Sequence, residues 1–303
     1  MERQSYIDSV DPEIAERLVG RREAIRRGAS VSGTVAAGLA MGSVPVALVA
    51  LARDVFAQAP TDVRAVIEFA YTLENLEFYF YDSALNASAF AGARTQIEDD
   101  DQNGARILRA LQTLRAHEEA HVAFLREAMG FLGGTPATYT AASFDFTGGN
   151  GAGSGPFAAA ATQAAVLMAA AQAFEDTGVR AYKGQVASLT SNKGVLTAAL
   201  QIHSVEARHA AQIRRLRQQM APSLGVKSWI RNEESGISGL DAAGTAAVAA
   251  IYAGEGATVQ GSVDVGPLAA SFGGSAAAGE AFDEPLSFEQ VAAIVDPFIV
   301  GGI

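Results

Sequence analysis

Apolar residues through the middle of the chain recur at alternating three- and four-residue steps, the spacing of one helix face rather than of a strand. Four segments carry this pattern: about Asp62 to Ser83, Asn103 to Met129, Phe157 to Lys183, and Lys193 to Met220. Helix punctuation marks their ends. Pro60–Thr61–Asp62 opens the first, Gly130, Gly133 and Gly134 stop the second, Gly155–Pro156 leads into the third, and Pro222 closes the fourth. The connections after the first and third segments are short enough for antiparallel neighbours. The connection from Gly130 to Pro156 runs about 27 residues. Two helical hairpins joined by one long crossover predict an all-α four-helix bundle over residues 60–220.

The flanks read differently. Residues 221–303 are Gly-rich and less regular, with short helices expected around Ala242–Tyr252 and Ser287–Val295. Trp229, Phe272, Phe282 and Phe298 give this extension apolar points with which to pack on the bundle. Residues 1–59 have the layout of an address. Arg21, Arg22, Arg26 and Arg27 precede an uncharged, Gly- and Ala-rich stretch from Gly28 to Ala52, and Ala57–Gln58–Ala59 offers a small-residue cleavage site. The arginine run resembles a twin-arginine export motif. The expected location is therefore periplasmic or extracellular. A retained segment would be a membrane anchor, with contact to lipid only through residues 28–52.

Each helical stripe is interrupted by a carboxylate. The first reads Val63, Ile67, Ala70, Glu74, Glu77, Tyr81, and the second Ile107, Leu111, Leu114, Glu118, His121, Leu125. The third reads Ala164, Leu167, Ala171, Glu175, Gly178, Tyr182, and the fourth Ala199, Ile202, Glu206, His209, Ile213, Leu216. Taking an unpaired carboxylate out of water costs several kcal/mol, and no Lys or Arg stands on these stripes to neutralise four of them. Two divalent cations would cancel four glutamates, and the two imidazoles would complete the ligand set. With 19 Glu and 4 His in 303 residues, chance predicts roughly a quarter of one Glu-x-x-His pair. Two occur, Glu118–His121 and Glu206–His209, one per hairpin. Glu74–Tyr81 and Glu175–Tyr182 repeat a second spacing, so the chain states one plan twice.

Composition narrows the chemistry further. The 22 Lys and Arg against 33 Asp and Glu leave a net charge of −11, which argues against a nucleic-acid partner. The absence of Cys removes thiolate ligands, Cys nucleophiles and disulfides, so a metal site must be built from carboxylate and imidazole. Such ligands suit iron or manganese.

On these residues the chain resembles the ferritin-like superfamily of di-iron and di-manganese carboxylate proteins, over roughly Asp62–Met220. The run Thr72-Leu-Glu-Asn-Leu-Glu-Phe-Tyr-Phe-Tyr81, with the export-like segment and the long tail, is similar to an exported branch related to desiccation-associated proteins. The resemblance implies two metal ions held by Glu74, Glu118, His121, Glu175, Glu206 and His209, with Glu118 and Glu206 bridging. It implies that Tyr81 and Tyr182 donate to the carboxylates, and that the site reacts with dioxygen or peroxide. Glu77 and His203 are further candidates near the ligand set, whereas Glu119 is turned about 100° away from Glu118. The fold is compatible with self-assembly. A storage cage is disfavoured by the tail and crossover. A non-enzymatic stress protein with a stabilising metal site is the alternative.

Three other motifs compete. His117-Glu118-Glu119-Ala120-His121 satisfies the zinc-hydrolase pattern. It lacks a third ligand, since beyond Glu127 the next acidic residues are Asp145 and Glu175. Gly148–Gly155 lacks the Lys-Ser/Thr ending of a phosphate loop and reads as a flexible crossover. The acidic run Glu98–Asp101 reads as a cap ahead of the second helix.

Overall fold

The computed structural model describes residues 61–302, so the export-like segment lies outside the described residues. Four long helices dominate: α1 (Thr61–Asn86), α3 (Gly104–Phe131), α4 (Ala164–Leu189) and α5 (Lys193–Met220). At 26 or 28 residues each they are close in length, about 40 Å at 1.5 Å per residue. Helix α1 pairs with α3 and α4 with α5, and the two hairpins meet along α1 and α4. The fold is the expected all-α bundle with one long crossover. No helix among the described residues is long and apolar enough to cross a membrane.

The connection between α1 and α3 is more ordered than the sequence pattern indicates. It contains a short helix, α2 (Ala91–Glu98), whose Ala93 and Ile97 are buried in the core. Helix α4 starts at Ala164 rather than near Phe157. Phe157 itself is a core residue, and Ala158–Ala161 forms a 3-10 turn. The cause lies in α2: Gln96 donates to Thr162 O at 2.8 Å and accepts from Ala164 N at 3.0 Å, which fixes the helix start. Asp100 accepts from the backbone N–H groups of Gln102 and Asn103, closing the turn that leads into α3.

The Gly148–Gly155 loop takes a defined form. Asp145 Oδ2 accepts from Gly151 N and Gly153 N, and Oδ1 accepts from the backbone and hydroxyl of Thr147. The crossover is tied to the end of the chain by Asp145 N to Phe298 O (2.8 Å) and Val300 N to Ser143 O (3.0 Å). The extension carries α6 (Ala242–Tyr252), a two-residue hairpin of β1 (Val259–Gln260) and β2 (Val263–Asp264), α7 (Gly274–Gly279) and α8 (Phe288–Val295). Helices α6 and α8 both pack on α4.

This covering explains an oddity of α4. Every residue from Val166 to Tyr182 is buried, so the helix has no solvent face. Its inner side meets the bundle and its outer side meets the extension. The polar residues on the outer side find partners in the extension and, for Asp176, on α5 as well. Asp176 binds Arg214 at 2.5 Å and accepts from the Tyr252 hydroxyl at 2.5 Å. Arg180 pairs with Glu255 at 2.7 Å and donates to the carbonyls of Ile251, Ala253 and Glu284.

Candidate metal centre

The four helices bring the six stripe residues to one layer in the middle of the bundle. Glu74 comes from α1, Glu118 and His121 from α3, Glu175 from α4, and Glu206 and His209 from α5. The four glutamates have no exposed surface, and His209 is buried as well. Their ligand atoms form two groups, each spanning at most 4.8 Å. One holds Glu74, Glu118, His121 and Glu206, and the other Glu118, Glu175, Glu206 and His209. Glu118 and Glu206 are common to both. Glu-x-x-His produces this because residues three apart stand on one face of a helix.

The two tyrosines cross between hairpins. Tyr81 on α1 donates to Glu175 Oε1 on α4 at 2.5 Å, and Tyr182 on α4 donates to Glu74 Oε1 on α1 at 2.5 Å. Glu175 and Glu74 are thus each steered by the opposite hairpin, leaving the second oxygen toward the layer. His121 Nδ1 lies 3.0 Å from Glu74 Oε2 and 2.9 Å from Glu118 Oε2. His209 Nδ1 lies 2.8 Å from Glu118 Oε1 and 3.3 Å from Glu175 Oε2.

Whether a cation fits is decided by the atoms left over. Glu118 Oε1, Glu175 Oε2, both oxygens of Glu206 and His209 Nδ1 are buried without a hydrogen-bond partner. The short His209–Glu118 approach lacks hydrogen-bond alignment. Five unpartnered donor atoms in one layer are costly for a folded chain unless a cation accepts them. All are oxygen or imidazole nitrogen, the donor set that iron and manganese accept. The residues therefore fit bound metal.

The electrostatics agree. Burial, with the neighbouring carboxylates Glu74 and Glu175, pushes Glu118 up to about 7 despite its contacts with His121 and His209. Burial and the charges of Glu118 and Glu74 drive Glu206 well above the ordinary carboxylate range. Burial alone would lower His209, but the charge of Glu175 and the contact with Glu118 raise it to about 11. The layer draws positive charge to itself.

The other candidates fall outside the two groups. Glu77 is buried beside Glu206, and burial plus the Glu206 charge hold its carboxyl well above the ordinary range. It shares with Glu206 the space over Gly178. His203 belongs to neither group, and burial lowers its pKa. Glu119 is exposed and pairs with Arg115 at 3.1 Å. His117 Nδ1 sits 2.9 Å from His209 Nε2 and stacks on that ring at 5.2 Å. Sequence reasoning missed this positioning contact, although His117 is one turn before His121 and on the adjoining face. It also missed Gly178, whose value is the room it leaves.

A family model described as a ferritin-like domain matches residues 61–219. The chain belongs to this family. The match begins with α1 and ends with α5, so the ferritin-like domain contains all six layer residues. No curated protein and no solved structure matches the chain. The extension from residue 220 onward lies beyond the matched region.

Proposed function

We propose that this ferritin-like protein holds two metal ions, iron or manganese, and turns over dioxygen or peroxide at them. The observation that supports it most directly is the set of unpartnered buried oxygens in a layer where two four-residue groups share Glu118 and Glu206. Glu74, Glu118, His121, Glu175, Glu206 and His209 would be the ligands. When bound, such ions supply electron exchange with oxygen species. The chain's own contribution is orientation and exclusion of water. Tyr81 and Tyr182 fix the terminal carboxylates, and His117 fixes the ring of His209.

Anaerobic Fe²⁺ loading followed by oxygen, watched in the near-ultraviolet, tests this reading. The wild type is expected to oxidise iron faster than a Glu118→Ala/Glu206→Ala double variant. Equal rates would remove the oxidative role, and trace metal after reconstitution would remove the site. A purely stabilising metal site is favoured by one observation, the complete burial of all four glutamates. In that case metal binds and no oxidation exceeds the control.

The zinc-hydrolase alternative has little support, because His117 turns to His209 and belongs to neither ligand group. Export through a twin-arginine-like signal over residues 1–59 is part of the proposal. It rests on the sequence pattern of Arg21 to Ala59 alone.

A further inference from the structure

The bundle is filled differently on the two sides of the carboxylate layer. On the Tyr81 side, Phe80 meets Phe174, Phe146 and Phe90 edge-on, with ring centres 5.0, 5.7 and 6.5 Å apart. Aromatic rings from the crossover and the α1–α2 turn plug that side. On the Tyr182 side Ala70, Ala181 and Ala199 leave room among larger apolar side chains such as Phe69 and Phe124, and an apolar pocket opens between all four long helices.

The floor of this pocket borders the layer. Leu73 precedes Glu74, Leu125 stands one turn beyond His121, and Ile202 stands one turn before Glu206. One turn is about 5.4 Å. No polar atom is accessible on the wall, because Tyr182 turns its hydroxyl away to Glu74. The rim at Val66, Ala198 and Gln185 is partly exposed, so the pocket communicates with the surface.

Size and polarity define the guest. The cavity is ≈ 40 Å³. A buried water needs roughly 10–15 Å³ of such space but also two to four polar partners, and a dry apolar cavity of about 150 Å³ takes benzene or xenon. The volume, about a quarter of that cavity's, admits a water that the wall cannot bind and favours a guest smaller than a ring. A diatomic gas fits both limits.

We propose that this pocket takes up small apolar molecules and is the route by which dioxygen reaches the Glu74, Glu118, His121 and Glu206 half of the layer. The delivery role rests on the metal reading above, whereas uptake of an apolar gas does not. Xenon, which enters dry apolar cavities, separates the two.

Crystals of the metal-free full chain pressurised with xenon are expected to show it between Leu73, Leu125, Tyr182 and Ile202. Ala199→Phe is expected to exclude it. Should that variant fail to fold, Ala198→Leu at the rim serves, and the wild-type xenon result stands alone. In iron-loaded protein, Ala199→Phe is expected to slow the dioxygen-dependent phase about tenfold or more at unchanged iron content. A pocket without xenon, or an unchanged rate, overturns the proposal. Xenon uptake with no dioxygen consumption by loaded wild type overturns delivery together with the oxidative reading. Absent xenon with normal consumption overturns the pocket alone.

Discussion

Replacing Gly178 by Ala separates the stability of the chain from its hold on metal. Gly178 lies on α4, three residues after Glu175, facing the carboxylate layer. A Cβ at this position would stand 2.8 Å from Glu206 Oε2 and 3.2 Å from Glu77 Oε1. Ordinary contact begins at 3.4 Å, so the Glu206 oxygen must retreat by 3.4 − 2.8 = 0.6 Å. For the fold this is mild. The atoms that yield are the far ends of flexible side chains, and Ala is favoured over Gly inside a helix by about 0.5–1 kcal/mol. For a metal site it is large. Ligand distances hold to about ±0.2 Å, and displaced supporting groups cost roughly 10–100-fold in affinity. Gly178→Ala is therefore expected to unfold in urea at an equal or higher midpoint when metal-free. Its Mn²⁺ affinity, read by competition calorimetry, should fall by about 10–100-fold. Wild-type affinity in the variant would refute the reasoning, and so would a metal-free protein less stable than wild type.

Three further outcomes follow from the same geometry. Tyr81→Phe and Tyr182→Phe each remove a hydrogen bond to a buried carboxylate, worth about 1.5–3 kcal/mol. Both should weaken metal binding and to a similar degree, since the two contacts are reciprocal; a loss confined to one would break the pseudo-symmetry. Metal-free protein should lose stability as pH rises. The folded values of Glu118 (about 7) and His209 (about 11) both lie above the 4.5 and 6.5 ordinary for a free carboxyl and imidazole. The native state thus binds more protons from pH 4.5 upward, and its advantage fades through these folded values. Metal binding displaces those protons, so the Tm gain from Mn²⁺ should grow between pH 5 and 8, and a gain that shrinks would count against the site. Arg180→Met leaves Glu255 buried without its partner and should cost about 3–5 kcal/mol in urea unfolding. Adding Glu255→Leu should recover part of that loss, and no recovery would mean that the backbone contacts of Arg180 dominate.

The bundle and the layer were readable because both obey a local period. Glu118 and His121 share a face by their spacing alone, and a carboxylate inside an apolar stripe stands out against its neighbours. What was not readable depends on residues far away in the chain. The start of α4 is set by Gln96 from another helix, and nothing near Phe157 signals it. Helix α2 is only eight residues long with two buried positions, too short to show a period. Asp176 and Arg180 look like surface residues until Tyr252 and Glu255 arrive from the extension. The crossing of Tyr81 to Glu175 and of Tyr182 to Glu74 required knowing that the hairpins pack face to face. The Gly148–Gly155 loop looked flexible because its organiser, Asp145, binds through backbone N–H groups that any sequence carries.

Anomalous diffraction from crystals of the manganese-loaded full chain tests the central claim most directly. The expected map has two peaks per chain, one within ligand distance of Glu74 and His121, the other of Glu175 and His209, with Glu118 and Glu206 touching both. No peak in the layer after saturation with metal would contradict the account, as would a single ion that leaves either histidine unligated.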